Sequence, residues 1–354
     1  MHLVVKLKRE LRYMPAQLFG LDIGRSFIKV VQVEVHGNKK FLTAASVVPT
    51  PAGGIQSESP VDLAKVSEAI KSCVTGAKIE GDKCAVSLIE SQVVSRVIQL
   101  PILTDKELAS AINWEAEQYI PLPIKDVVLQ YKVINREQQT SSGETKMDVL
   151  LIAAPKRIIL KYINVVKGSG LRPEALETES SALVRSLTLP SDPATIIVSM
   201  GALSTELVIA LAGNVLFTRS IATGGVNLTR AIVAEFNLPQ KQAEEYKQTY
   251  GILEDKLSGK VSAVLRPILD IITGEILKAV EFGRGQIKNS QVARVVICGG
   301  GAFLPGLSSF LVERTSFEVS LGDPWAGFEK TGLVTKIADQ GSVYSVATGL
   351  ALRS

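Results

Sequence analysis

A chain of 354 residues is long enough for two domains or one large duplicated fold, and 46% hydrophobic with 21% charged residues is an ordinary globular balance with a sizeable core. A net charge of +4 and few aromatic residues offer no basic, base-stacking surface for nucleic acid. Only two histidines, His2 and His36, and three cysteines without CxxC spacing exclude most Ser-His-Asp, Cys-His and histidine-rich zinc chemistry, and the cysteine usage fits a reducing cytosol.

The N-terminal MHLVVKLKRELRYM has no secretory apolar core or cleavage site. As a helix it would gather Leu3, Leu7, Leu11 and Met14 away from Lys6, Lys8, Arg9 and Arg12. A docked or frayed terminal helix is the simpler reading, with contact to a membrane surface as the alternative. No apolar run approaches the roughly 18 residues of a membrane span, so a soluble chain is expected.

Next comes FGLDIGRSFIK, Phe19 to Lys29, a strand that ends on an acid and a glycine before a second strand. Glycine there signals a turn or a close backbone approach. The acid needs a cationic partner, and a hydrated magnesium ion is the usual one. VVQVEV, the turn HGNKK and FLTAASVVP complete an antiparallel meander. VDLAKVSEAIKSCVTGAKI has helical spacing, and CAVSLIE is a strand.

From Gln92 to Gly170 the pattern predicts an inserted module: strand VVSRVIQLP, helix TDKELASAINWEAEQYI, strand VVLQYKVI, a polar hairpin, strand MDVLLIAAP and helix KRIILKYINVVKGSG. Thr104 and Glu107 have capping-box spacing, and Pro121 and Pro123 end the first helix. QTSSGET reads as a solvated hairpin tip.

The meander then recurs in IIVSMGALSTELVIAL, AGN and VLFTRSIA, with Ser199 standing before Gly201 as Asp22 stands before Gly24. Two copies of one domain are implied. Helices GGVNLTRAIVAEFNL, PQKQAEEYKQTYGI and VSAVLRPILDIITGEILKAVEFGRGQI follow, then a strand and the loop CGGGA, Cys298 to Ala302.

Three segments are suited to one nucleotide. Amides after Gly24 can bind phosphate, while Asp22 would hold hydrated magnesium and Lys29 would add charge. MGALST offers amides and the hydroxyls of Ser204 and Thr205. Gly299, Gly300 and Gly301 let backbone lie flat against a base or ribose. A P-loop is absent, and Leu304 occupies the position where a dinucleotide fingerprint anchored at Gly299 needs a small residue.

This order of motifs resembles the actin-like ATPase superfamily over nearly the whole chain. Within it, WEAEQYIPLPIKDVVLQY, FGLDIGRSFIK, FNLPQKQAEEYK, GGGAFLPGL and YSVATGLALR are similar to the PilM family of type IV pilus assembly, which is related to FtsA. The resemblance implies an α/β fold of two duplicated ribonuclease-H-like lobes with mixed sheets and an FtsA-type inserted subdomain. Expected boundaries are an N-terminal basic segment at 1–16, a first lobe at 17–91 completed by 171–190, a partner-binding insertion at 92–170, and a second lobe at 191–354 with a helical subdomain at about 226–294.

By position, the resemblance assigns Asp22, Gly24, Arg25, Ser26 and Lys29 to the first phosphate motif and Gly201, Ser204 and Thr205 to the second. Glu244 and Lys247 match the ribose and adenine pair, and Gly299 to Ala302 match the adenosine loop. Glu179 matches an acid that orients the attacking water. Asp22 is the metal residue, and Glu179 and Asp22 are the catalytic candidates. Ser199 replaces the usual second-motif aspartate and Arg25 a small hydroxyl residue, so ATP binding with Mg2+ and slow or absent turnover is expected.

The implied role is a cytoplasmic scaffold recruited peripherally to the inner membrane. It would grip the short N-terminal tail of a PilN-like bitopic protein, with nucleotide state modulating the grip. Other platform or motor proteins are further partners, self-association stays open, and no nucleic acid is involved. Trp114, Tyr119 and Tyr131 could line the groove for that tail, although aromatics at these spacings are more often core. An FtsA-like division scaffold and a small-molecule kinase are the alternatives.

Overall fold

The computed structural model describes residues 18–139, 145–286, 292–330 and 332–353. The basic segment at 1–16 and most of the QTSSGET tip lie outside them.

β1 (Phe19–Ile23), β2 (Phe27–His36) and β3 (Lys39–Pro49) form the expected meander. β4 (Lys83–Leu88) and β8 (Arg172–Thr178) continue the sheet in parallel, giving the order β3-β2-β1-β4-β8. The second lobe repeats this topology. β9 (Thr195–Met200), β10 (Thr205–Leu211) and β11 (Asn214–Ile221) make the meander, and β12 (Arg294–Cys298) and β13 (Glu318–Leu321) the parallel extension. In the β10–β11 turn, Ala212 and Gly213 take φ of 51° and 72°, the left-handed pair that fits the twist of a two-residue hairpin.

Helix starts follow local chemistry. α1 (Pro60–Ala77) opens on proline, whose missing N–H costs nothing at that position, with Asp62 in the positive first turn. α2 (Asp105–Glu117) has the capping box predicted by its sequence: Glu107 N–H donates to the Thr104 hydroxyl at 3.3 Å, and Thr104 N–H donates to Glu107 Oε2 at 2.8 Å.

The inserted sheet, β5 (Val94–Leu100), β7 (Thr145–Pro155) and β6 (Val127–Gln139) in that spatial order, packs Met147, Val149 and Leu151 against Leu108, Ile112 and Ala116 of α2. α3 (Lys156–Gly168), expected within the insertion, instead packs in the first lobe. Its Ile158, Tyr162, Val165 and Val166 join Val66, Ile70 and Cys73 of α1 beneath Phe19, Leu21 and Ile23. Helical spacing shows that α3 buries one stripe, and it leaves open which sheet receives that stripe.

α4 (Glu179–Leu187) leaves β8 and runs between the lobes, with Leu183 and Val184 packed beside Ile197 and Val208. α5 (Gly225–Phe236), α6 (Gln240–Tyr250), α7 (Lys260–Gln286) and α8 (Leu307–Thr315) cover the second sheet. The remaining stretch, with the single turn α9 (Leu333–Lys336) and α10 (Ser345–Ala351), returns to the first lobe rather than staying within 191–354. Trp325, Phe328, Tyr344 and Ala347 there pack on Val31, Val33 and Leu42.

Two glycines make this return possible. A Cβ on Gly20 would lie 1.9 Å from the Ala347 carbonyl oxygen, and one on Gly349 would lie 1.9 Å from that of Ala182. The α10 backbone therefore touches β1 and α4 directly, and glycine is required on each contact.

Candidate functional site

The β1–β2 hairpin places Asp22 directly opposite Lys29, side chains on one face of the sheet. Lys29 Nζ donates to Asp22 Oδ2 at 2.7 Å, and the Ser87 hydroxyl of β4 donates to Oδ1 at 2.9 Å. Asp22 is 3% exposed, so the acid met at the end of a buried strand has a cation from its own chain before any metal is considered. Gly24 begins the turn, donating its N–H to the Phe27 carbonyl at 3.1 Å, and Ser26 lies exposed at the tip. Arg25, on this tip, donates to the Gly53 carbonyl at 2.8 Å and braces the hairpin against the loop before α1.

The second hairpin repeats the turn: Gly201 N–H donates to the Ser204 carbonyl at 2.9 Å. Thr205 is fully buried, and its hydroxyl donates to the Thr223 carbonyl at 2.7 Å, which fixes the hairpin base. Ser199 hydrogen-bonds the Cys298 thiol, whose burial pushes its pKa up to about 12. The structure adds a residue here that motif reading missed. Glu206 faces Ser199 across the β9–β10 ladder, at the register Lys29 has to Asp22. Its Oε1 accepts from Ser220 at 2.8 Å, while Oε2 is buried without a partner. Burial pushes its carboxyl up to about 7, against the hydrogen bond from Ser220 and the nearby Ser204 hydroxyl, which favour the ionised form. The signal was in the sequence as an acid at the spacing of Lys29 from Asp22.

Glu179 is the first residue of α4, directly after β8. Burial raises its carboxyl well above the usual range, and the charges of Asp22, Glu206 and Glu90 raise it further. Asp22 from one lobe and Glu206 from the other thus act on the same carboxyl. Lys29 and Glu179 both act on the Cys298 thiol, which places the first hairpin's lysine near the end of β12. Asp22 and Lys29 of the first hairpin and Ser199 and Glu206 of the second therefore lie close enough to Glu179 or Cys298 to act on them.

The residues expected to face adenosine, Glu244, Lys247 and the Gly299–Ala302 loop, lie on the second lobe. Gly225 and Val226, at the start of α5, donate their N–H groups to the Gly201 and Ala202 carbonyls at 3.0 and 2.9 Å. Lys247 Nζ donates to the Gly225 carbonyl at 3.2 Å, the Thr229 hydroxyl at 2.9 Å and Glu244 Oε2 at 2.8 Å. Burial works to raise the Glu244 carboxyl, and the bonds from Lys247 and Thr229 outweigh it, holding the group below its usual range. Gly299 and Gly301 press on Met200 beside Gly201: added Cβ atoms would lie 2.7 Å from the Met200 carbonyl oxygen and 2.6 Å from its Cβ. Gly300 faces open space, Ala302 is buried beneath the loop, and Phe303 is 43% exposed.

Among the described residues no group of three or more His, Cys, Asp or Glu side chains is placed to hold a metal ion by itself. On the inserted module, Trp114 is 75% exposed and Tyr131 38%, so neither is the core aromatic expected; Tyr119 packs on the module core under Arg96 at 4.8 Å. No helix among the described residues is long and apolar enough to cross a membrane.

Comparison with known proteins sets the chain in a family. The chain aligns with the FtsA cell division protein of Streptococcus pneumoniae at 22% identity, covering 86% of this chain and 75% of that protein. It superposes on MreB 5 of Spiroplasma citri bound to AMPPNP with a TM-score of 0.53 at 14% identity, covering 95% of each chain, which shows a shared actin-like fold. The PilM-PilN type IV pilus biogenesis complex matches with a TM-score of 0.81 and 30% identity over 96% of this chain and 99% of that one. The family model for type IV pilus assembly protein PilM matches residues 20–354. With that match covering nearly the whole chain, the chain belongs to the type IV pilus assembly PilM family.

Proposed function

We propose that this chain is an ATP-binding scaffold of the type IV pilus assembly platform that grips the cytoplasmic N-terminal tail of a PilN-like membrane protein and is thereby held at the inner membrane. The observation that carries the reading is the convergence of both hairpins on Glu179, in a chain that matches the PilM-PilN complex over nearly its full length. The Gly24 and Gly201 turns would receive the phosphates, Lys29 supplying charge. Lys247 and Glu244 would hold the ribose, with the base over Gly300 against Phe303, where stacking on an exposed aromatic is worth about 1–3 kcal/mol.

Asp22 and Glu206 are the carboxylates that would hold magnesium through its waters, and the ion would neutralise phosphate charge. Burial and its acidic neighbours raise the Glu179 carboxyl, so the ionised form that would accept a water proton is disfavoured there. Ser199 cannot share that task. Slow turnover follows, and the nucleotide acts as a ligand that sets inter-lobe closure.

The test is a titration with a fluorescent ATP analogue and magnesium, with phosphate release and capture of a PilN tail peptide followed in parallel. Binding with less than one turnover per minute, together with peptide capture, is the expected result. Rapid turnover would contradict the scaffold reading, and no nucleotide binding would remove the cleft.

A further inference from the structure

Glu90 lies between β4 of the first lobe and β5 of the inserted module, at the point where three bodies meet. Its N–H donates to Glu179 Oε2 at 3.4 Å, and its own Oε2 accepts from the Ser180 N–H at 3.2 Å. The link to the start of α4 is thus reciprocal. On its other side lie the hydroxyls of Ser95 in β5 and Thr218 in β11, both within reach of the carboxyl, and Thr218 donates to the Ser95 carbonyl at 3.4 Å. One side chain therefore stands between the acid of the cleft, an edge strand of the second lobe and the first strand of the insertion.

The bonding there is incomplete. Glu90 is 5% exposed, yet its Oε1 has no hydrogen-bond partner, and the buried Ser95 hydroxyl also has none. Burial raises the Glu90 carboxyl, and the Ser95 and Thr218 hydroxyls beside it can each donate to its unpartnered oxygen. A small movement of β11 against β5 would complete a Glu90–Ser95 or Glu90–Thr218 bond at the expense of the contacts to α4. Buried polar groups strongly favour being paired, so the site prefers discrete arrangements over a continuum. A two-arrangement element at the junction of two sites is what energetic coupling between them requires.

We propose that Glu90 couples nucleotide occupancy of the cleft to the inserted module, switching its bonds between the α4 start and the Ser95–Thr218 pair as the lobes close. The inference rests on the reading that the cleft binds nucleotide and that the module holds the partner tail. Glu90 acts through Glu179 and Ser95 and is a positioning residue.

The experiment measures the affinity of a labelled peptide carrying the N-terminal tail of the cognate PilN, with and without magnesium AMPPNP, on the full chain. For the native protein the two affinities are expected to differ about fivefold or more, the lower end of typical allosteric coupling. Glu90→Gln, an uncharged isostere able to donate and accept, keeps that ratio. Glu90→Ala and Thr218→Val bring the ratio toward one while nucleotide affinity and nucleotide-free peptide affinity stay within about twofold, well under the tenfold that 1.4 kcal/mol represents. Thr218→Val decides the matter should Glu90→Ala fail to fold. A native ratio of five or more that survives both substitutions overturns the coupling role alone. A native ratio of one, or no AMPPNP binding, overturns the nucleotide-gated reading and this inference with it.

Discussion

Glu206 stands across the β9–β10 ladder from Ser199 at the register where Lys29 faces Asp22 between β1 and β2. The lobes share a backbone and differ in charge order: acid then lysine in the first, hydroxyl then acid in the second. Restoring an aspartate at 199 would set two carboxylates directly opposite each other, an unfavourable cross-strand pair. Ser199→Asp is expected to lower the Tm without speeding phosphate release. Ser199→Asp combined with Glu206→Lys writes the first lobe's order into the second and should recover most of the loss. A single variant as stable as the native chain and faster in turnover would remove this account.

Glu206 also gives the protein a pH signature. Its carboxyl, pushed up to about 7 chiefly by burial, holds a proton in the folded chain that the unfolded chain releases near the usual carboxylate range. That contribution is complete below the unfolded value of 4.5 and is lost as pH rises through 7, amounting at most to about 3 kcal/mol. Glu90 and Glu179, raised in the same direction, add the same sign. Melting curves from pH 5 to 7.5 should show the native Tm falling, and Glu206→Gln should make the fall shallower. Parallel slopes would show that Glu206 does not titrate there.

The Asp22–Lys29 pair is enclosed, with side-chain exposures of 5% and 14%. Lys29→Met strands a buried carboxylate, and breaking one side of such a pair costs about 3 kcal/mol. Lys29→Met with Asp22→Asn leaves two neutral groups and should restore most of the stability while abolishing nucleotide binding. Urea denaturation and analogue titration read the two effects separately. A single variant as stable as the native chain would mean that the pair is not closed in solution.

Much of this architecture was legible because its signals are local. The glycine turns follow from residues within a few positions of one another, and the Thr104–Glu107 box from side chains that bond to nearby backbone. The duplication was visible because each meander carries the same order of acid or hydroxyl, glycine and strand. What stayed hidden depends on neighbours distant in sequence. The stripe of Ile158 and Tyr162 faces the first lobe through α1, and Trp325 reaches Val31 across most of the chain. Trp114 lies on the solvent side of α2, opposite the Leu108–Ile112–Ala116 stripe, which the helical period could have indicated. Glu206 escaped because the motif was read along β9, whereas the acid sits one strand away.

Exposure of Trp114 gives the partner reading a direct check. A surface aromatic with no packing role contributes little to folding, so Trp114→Ala should shift stability by no more than about 0.5 kcal/mol. Aromatic residues are frequent anchors in interfaces, where truncation costs 2 kcal/mol or more, roughly a thirtyfold loss of affinity. Titration of the PilN tail peptide into Trp114→Ala distinguishes a contact from an idle surface group. Unchanged peptide affinity would move the grip elsewhere on the module.

The three glycines at 299–301 differ in purpose although they are adjacent. Gly301→Ala drives a Cβ to 2.6 Å from that of Met200, and overpacking of this kind costs typically about 1–3 kcal/mol. Gly299 has φ of 80°, so a side chain there is strained as well as crowded by the Met200 carbonyl. Neither variant can separate a fold defect from a ligand contact. Gly300 has nothing within 4 Å of an added Cβ and a backbone that alanine can adopt, so Gly300→Ala should melt with the native protein. A base lying flat on this loop would meet the new methyl group. Affinity for the ATP analogue should then fall about tenfold, or about 1.4 kcal/mol. A Gly300→Ala protein with native Tm and native affinity would place the base away from this loop and leave Gly299 and Gly301 as packing glycines alone.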